Sequence, residues 1–79
     1  MKVRDLLAAN MRRLRQSNEL SQEELAHRAD LDRTYISALE RSVYAASVDV
    51  LEKLATALSV TTAELLVPPP QISSSRSKP

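Results

Sequence analysis

Apolar residues recur at helical spacing in five segments of this chain, and short polar stretches separate the segments. Side chains on one face of a helix repeat every three or four residues, so this spacing indicates amphipathic helices. It predicts helices at about residues 3–17, 22–29, 33–41, 48–58 and 62–67. The positions expected to face a common core are Val3, Leu6, Leu7, Met11, Leu14, Leu25, Ala26, Ala29, Ile36, Leu39, Leu51, Leu54, Ala55 and Leu58.

Helix start signals precede the later segments. Ser21 with Glu24, and Thr61 with Glu64, have the spacing of a capping box, in which each side chain bonds the other residue's free backbone N–H. These pairs predict where the second and fifth helices begin. The expected N-caps of the third and fourth helices are Asp32 and Ser47.

The C-terminal residues differ in composition from the rest of the chain. The run Pro68-Pro69-Pro70 ends the last helix, because proline has no backbone N–H and disfavours the helical conformation in the residue before it. Residues 73–78 are serine or basic residues. The sequence therefore predicts a folded domain at residues 1–67 and a Pro/Ser-rich disordered tail at residues 68–79.

Composition limits the chemistry that is open to this chain. It has 79 residues with no cysteine and one histidine, which excludes disulfides, thiolate metal sites, cysteine nucleophiles and multi-histidine metal clusters. His27 lies on the polar side of the second helix, where a solvated side chain is expected. Glu23 and Glu24 diverge around that helix and cannot act as a facing acid/base pair. We expect no metal, no cofactor and no enzymatic activity.

Hydropathy predicts no association with a membrane. No apolar run approaches the roughly 20 residues that a membrane span requires. The N-terminal residues also lack the apolar stretch of a signal peptide. A cytoplasmic location is therefore expected.

Charge is distributed unevenly along the chain. The formal net charge is +1, but residues 1–67 contain nine basic and all ten acidic side chains. This balance gives no support for nucleic-acid binding. Basic residues do crowd the first helix, and either an anionic partner or simple solvation of a helix face explains that pattern.

Several short motifs occur in an order that is characteristic of one known family. They are LSQEELA, TYIS, LER, LATALSV and ELL, at residues 20–26, 34–37, 39–41, 54–60 and 64–66. Over about residues 5–67 the chain resembles the Xre or Cro/repressor-type helix-turn-helix family. The stretch LDRTYIS, at residues 31–37, is also similar to controller proteins of restriction–modification systems, which are small stand-alone members of that family.

The resemblance implies an all-α, compact five-helix bundle of the lambda-repressor-like DNA-binding type. In that architecture the second helix crosses the DNA backbone and the third enters the major groove of double-stranded DNA. Gln22 matches the family glutamine that binds a phosphate, a role that suits a short amide at a helix N-terminus. The alternative for Gln22 is an ordinary polar residue in the first helical turn.

The third helix is expected to read bases through Arg33, Thr34 and Ser37, which share one outward stripe. Arginine can bond the O6 and N7 atoms of guanine, threonine can place its methyl group against thymine, and serine is small enough for close approach. Tyr35 lies off the stripe and either bonds a phosphate through its hydroxyl or packs as a partly buried aromatic residue. Arg41 is expected to contact a phosphate where the family approaches the backbone.

The resemblance also assigns structural roles. Arg15 and Glu40 match a family ion pair that holds the first helix against the end of the third. Arg12 and Arg13 are expected to be solvated. Relatives dimerise near the last helix, so the expected dimer interface is formed by Val50, Leu65, Leu66 and Val67, although Leu65 and Leu66 could instead close the monomer core.

The chain departs from the family where relatives usually carry glycine in turns. The corresponding residues here are Glu19, Asp30, Ser42 and Ser59. A left-handed backbone at a non-glycine residue costs on the order of 1 kcal/mol. Either the turns differ from those of relatives or the domain tolerates this strain, and Asn18 could replace Glu19 as the left-handed residue.

The resemblance favours a sequence-specific transcriptional regulator that binds a pseudo-palindromic operator as a homodimer. The alternative is an antitoxin-like protein that binds a toxin partner through the Pro/Ser-rich tail and autoregulates its operon. A copurifying partner would distinguish these two functions.

Overall fold

Four α-helices and one short 3₁₀ helix make up the structure, a computed structural model that describes residues 2–69. The α-helices are α1 (Val3–Ser17), α2 (Gln22–Ala29), α3 (Arg33–Glu40) and α4 (Val48–Leu58), and the 3₁₀ helix spans Ala63–Leu65. The described residues contain no β-strand, so the all-α prediction is confirmed. The tail predicted at residues 68–79 lies outside the described residues except for Pro68 and Pro69.

The predicted fifth α-helix is replaced by the 3₁₀ helix, which has three residues. The expected capping-box bonds between Thr61 and Glu64 are present, each 3.2 Å long. Pro68 disfavours the helical conformation at Val67, however, and this leaves too few residues to stabilise a second turn. The third helix also ends one residue earlier than predicted, at Glu40.

Side-chain caps fix the starts of α2, α3 and α4 as predicted. At α2, the Ser21 N–H donates to Glu24 Oε1 at 2.8 Å and the Glu24 N–H donates to Ser21 Oγ at 3.0 Å. The bond from the Ser21 backbone also lowers the pKa of the Glu24 carboxyl. Asp32 accepts from the Thr34 N–H at 2.7 Å, and Ser47 caps α4 in the same manner.

Packing between the helices follows the predicted apolar faces. The α2 helix packs against α3 and α4, while α1 packs against α3 and the 3₁₀ helix. Among the predicted core positions, Val3 is 62% exposed because it opens the first turn of α1, and Leu6, Leu14 and Leu51 are only partly buried. The buried apolar core contains Leu7, Met11, Leu20, Leu25, Ala26, Ala29, Ile36, Leu39, Leu54, Ala55, Leu58 and Leu65.

All four α-helices are followed by a residue with a left-handed backbone, and none of these residues is glycine. They are the residues at the family's glycine positions, with φ of 57° at Glu19 and Asp30 and 61° at Ser42 and Ser59. After α1, the Leu20 N–H donates to the Arg15 carbonyl at 2.9 Å, and the Glu19 N–H to Gln16 at 3.0 Å. These bonds form a Schellman motif, which recurs at the other three ends. Asn18 keeps a negative φ of −89°, so the alternative that placed the strain there is wrong.

Replacing the strained exposed residues with glycine should stabilise the domain. We expect Glu19→Gly and Ser59→Gly each to raise the free energy of unfolding by about 0.5–1 kcal/mol, since the left-handed penalty exceeds the entropic cost of glycine. Urea denaturation measures this change. Glu19→Ala is the matched control, because it removes the same carboxylate but keeps the Cβ atom. Equal effects of Glu19→Gly and Glu19→Ala would contradict a strain-based explanation.

A buried asparagine ties the C-terminal segment to α1. Asn10 is 0% exposed, and its Nδ2 donates to the carbonyls of Leu65 at 2.9 Å and Val67 at 2.7 Å. Its Oδ1 accepts from Arg13 Nη2 at 3.2 Å. Every polar atom of the amide is therefore satisfied, as a buried amide requires. This arrangement, the Asn10 clamp, fixes the backbone on both sides of Leu66.

In the part of the chain that the structure describes, no helix has the length and apolar character needed to cross a membrane.

Candidate nucleic-acid interface

The first turn of α3 presents polar side chains to solvent. Arg33 and Thr34 are exposed, and Ser37, one turn later, is half-buried. Ile36 and Leu39 anchor the opposite face of the helix in the core, at 0% and 1% exposure. The helix is therefore held rigidly while its predicted base-reading stripe remains accessible.

The turn between α2 and α3 sets the direction of this stripe. Asp30 adopts φ 57° and ψ 48°, and the Leu31 N–H then donates to the Ala26 carbonyl at 2.8 Å. Asp32 immediately caps α3 through the Thr34 N–H. The two helices are consequently joined by only three residues, and the tight turn is preserved with aspartate at the glycine position.

An open groove lies between the N-termini of α2 and α3. Its lining includes Gln22 and Arg33, which were predicted to contact phosphate and bases respectively, and also Arg15. Glu23 lines the groove as well, and the Arg15 guanidinium is already paired with Glu40, so Arg33 and the N-terminus of α2 are the features of the groove that suit an anionic ligand. The structure thus brings together the expected phosphate contact of α2 and the first expected base-reading residue of α3.

Glu40 is the centre of a buried polar network behind this groove. The side chain is 3% exposed, and Arg15 donates to it through Nε at 2.7 Å and Nη2 at 3.1 Å. These bonds raise the pKa of Arg15 above its ordinary value. Arg15 Nη1 also donates to the Leu20 carbonyl at 2.9 Å, so one side chain connects α1, the following turn and α3.

Gln22 belongs to the same network. Its Nε2 donates to Glu40 Oε1 at 3.1 Å, which orients the amide. An amide nitrogen carries two hydrogens, so the second remains for an acceptor such as a phosphate oxygen. Gln22 therefore belongs to the Glu40 network, and its phosphate contact stays a prediction.

Basic side chains surround the C-terminal end of α3. Arg12 Nη1 donates to the Glu40 carbonyl, where a cation interacts favourably with the negative end of the helix dipole. Arg41 is exposed, and its Nε lies 3.4 Å from the Ser37 carbonyl. Arg12 is exposed, as predicted, although it also bonds the backbone. The predicted solvation of Arg13 is wrong, because Arg13 is half-buried and bonds Asn10. The spacing of Asn10 and Arg13, three residues apart on one helix, was the available sequence signal for the second contact.

Tyr35 lies on the side of α3 away from the base-reading stripe. Its ring is half-buried against the core, and its centroid lies 6.1 Å from that of Tyr44 at an interplanar angle of 37°. Such a tilted pair is a favourable aromatic arrangement. The packing alternative for Tyr35 is thus present in the structure, while its phosphate contact stays a prediction.

The residues expected at a dimer interface have very different exposures. Leu65 is 0% exposed and closes the monomer core, so its assignment to the interface is wrong. Val50 and Leu66 are partly buried against the core, and Val67 is 48% exposed. Only the last three can offer apolar surface to another molecule.

Two short helices joined by a tight turn, with an accessible basic and hydroxyl-bearing stripe on the second, form a helix-turn-helix motif. A sequence profile of the helix-turn-helix family matches residues 11–65. The chain belongs to this family.

Similar proteins include transcription factors and controllers of restriction–modification systems. A hypothetical transcription factor from Neisseria meningitidis serogroup B is 48% identical over 67 residues, which are 85% of this chain and 63% of the relative, so the chain spans under two thirds of its length. Control protein C.SmaI of Serratia marcescens is 41% identical over 66 residues, 84% of this chain and 79% of that protein.

Solved structures of a transcription factor and of a controller protein are also similar to this chain. The crystal structure of the Neisseria factor NHTF matches with a TM-score of 0.83 at 47% identity, over 86% of this chain and 78% of that one. The restriction–modification controller C.AhdI from Aeromonas hydrophila matches with a TM-score of 0.76 at 39% identity, over 78% and 94% of the two chains. The predicted similarity to controller proteins is confirmed.

Proposed function

We propose that this chain is a sequence-specific regulator that binds double-stranded DNA as a homodimer, with α3 in the major groove. The observation that carries the proposal is the groove shared by Gln22 and Arg33, next to the exposed first turn of α3. The N-terminal residues of a recognition helix are the ones that reach base edges in this motif. The controller proteins named above are similar over most of their length, which supports a role in transcription for this chain.

Each side chain of the interface has a distinct part in this proposal. Arg33, Thr34 and Ser37 read base edges, and Arg33 supplies the strongest discrimination because its guanidinium can bond guanine twice. Gln22 and Arg41 bond phosphates on either side of the groove, and Tyr35 offers its hydroxyl to the backbone. The phosphate contacts fix the register in which the base readers meet the DNA.

Two copies are needed because one recognition helix spans only a short half-site. A two-fold dimer reads two inverted half-sites, so the operator is pseudo-palindromic. The partly buried Val50 and Leu66 and the exposed Val67 supply apolar surface for that dimer. The antitoxin alternative is not carried further, because no described contact and no relative named above favours a toxin partner.

Selection of bound sequences from a random double-stranded DNA pool tests this function. We expect enrichment of two inverted half-sites whose centres are about one helical turn, or a multiple of it, apart. Enrichment of a single unpaired site would contradict the homodimer, and enrichment of no sequence would contradict sequence-specific binding.

A further inference from the structure

An acidic side chain lines the groove between the N-termini of α2 and α3. Glu23 shares this groove with Arg33, the residue proposed to read guanine, and with Gln22, the proposed phosphate contact. Glu23 and Arg33 are both exposed, so each side chain has room to reach into the groove. The proposed base reader therefore works beside a negative charge.

The neighbouring acidic residues already have structural partners. Glu24 caps the start of α2, Asp32 caps the start of α3, and Glu40 is buried in its ion pair with α1. Glu23, by contrast, takes part in no ion pair within residues 2–69. Its place in the first turn of α2 favours the helix dipole, and its place in the groove gives its charge a second effect.

A carboxylate in this groove distinguishes a phosphate from the edge of a base. A phosphate carries a full negative charge, whereas the O6 and N7 atoms of guanine are neutral acceptors. A phosphate that approaches the Arg33 guanidinium therefore meets a repulsion from Glu23 that guanine does not meet. Two like charges about 4 Å apart change an affinity roughly fivefold even at the dielectric constant of water.

We infer that Glu23 is a specificity-determining residue, which keeps Arg33 off backbone phosphates and so reserves it for bases. The inference rests on the proposed function, in which Arg33 reads guanine. On random DNA the guanidinium has no guanine in register, and Glu23 opposes the phosphate that would replace it. Specificity can come from a group that repels the wrong ligand as well as from one that attracts the right ligand.

The phosphate proposed for Gln22 does not remove this discrimination. Contacts to the DNA backbone are made on operator and random sequences alike, because they carry no sequence information. Any repulsion between Glu23 and that phosphate is therefore present in both complexes and cancels when they are compared. The difference that remains is the ligand of Arg33.

Neutralising Glu23 tests the inference. Fluorescence anisotropy of the full chain measures dissociation constants for the selected operator and for a scrambled duplex. Glu23→Gln should tighten binding to the scrambled duplex roughly fivefold and change operator binding by less than about twofold, so the specificity ratio falls. The gain on the scrambled duplex should shrink as salt increases, because exposed charges are screened.

Two matched variants and a double-mutant cycle separate this effect from a loss of net charge. Glu23→Asp keeps the carboxylate and should keep the specificity ratio within about twofold of wild type. Glu52→Gln removes the same charge from an exposed position of α4 outside this groove, so it should affect both duplexes equally. In an Arg33→Ala background, Glu23→Gln should tighten scrambled-duplex binding less than in wild type, because no guanidinium then attracts a phosphate into the groove.

The outcomes distinguish the role of Glu23 from the proposed function. Equal tightening on both duplexes in Glu23→Gln would overturn the inference, since Glu23 would then be a general repulsive charge. Unchanged or weakened binding to the scrambled duplex would overturn it too, and in each case the preference of the wild type for its operator would stand. A wild-type chain that enriches no sequence from the pool would overturn both the inference and the proposed function. Circular dichroism melting of each variant verifies that the fold is intact.

Discussion

Replacing Glu40 with alanine should destabilise the domain by about 3–5 kcal/mol, the typical cost of removing one partner of a buried ion pair. Glu40 is 3% exposed and Arg15 is 15% exposed, so little water can reach the guanidinium left behind. Three donor groups, two from Arg15 and one from Gln22, would lose their acceptor together. The free energy of unfolding in urea measures the loss.

A double-mutant cycle separates the pair from the cavity that the truncation creates. We expect Arg15→Met with Glu40→Leu to be less destabilising than the sum of the two single changes, because no buried charge is left without a partner. The destabilisation caused by Glu40→Ala should persist at high salt, since interactions between buried charges are weakly screened. If Glu40→Ala lowers the free energy of unfolding by less than about 1 kcal/mol, the pair contributes no more than an ordinary surface salt bridge.

Replacing Arg33 with alanine should weaken binding to the selected operator by about 1–3 kcal/mol, or roughly ten- to a hundredfold in dissociation constant. Binding to random DNA should change far less, because base contacts contribute little there. Fluorescence anisotropy with the operator and a scrambled duplex, at several salt concentrations, measures both. Equal losses on the two duplexes would show that Arg33 contacts phosphate instead of bases.

Arg28→Ala and Arg41→Ala are matched controls for that experiment. Arg28 is an exposed arginine of α2 outside the groove that Arg33 lines, so its removal should leave both affinities unchanged. Arg41→Ala should weaken binding to both duplexes equally and reduce the magnitude of the salt slope by about 1. A selective loss of operator binding in Arg41→Ala would instead assign it to base recognition.

Local signals in the sequence predicted most of the fold, because they act between neighbouring residues. The capping box of Ser21 and Glu24 depends on a three-residue spacing, and both of its bonds are present. The inward positions of α2, such as Leu25 and Ala29, follow from helical periodicity. The prediction failed at residues 62–67, where a helical pattern was too short beside Pro68 to form α-helix.

Long-range polar contacts were harder to predict. Nothing in the spacing of Arg12 indicates that its guanidinium bonds the Glu40 carbonyl, because that contact depends on how α1 crosses α3. Asn10 resembles any polar position on α1, yet it is fully buried by the segment that ends 57 residues later. The pairing of Arg15 with Glu40 was predicted from the family resemblance. The additional bond from Gln22 to Glu40 could not be predicted, because it depends on how the helices pack.

The turns that end the four α-helices depend on the residue that follows each left-handed residue. The residue after each one, at positions 20, 31, 43 and 60, donates its N–H to a carbonyl five residues earlier. Leu20 is buried, and Leu31 and Val60 pack against the core, so burial of the following residue stabilises these three turns, whereas Val43 is 49% exposed. Glycine would lower the conformational cost of this turn, but the turn forms without it. A sequence motif that requires glycine at these positions would therefore miss this chain, although its backbone makes the same left-handed turns.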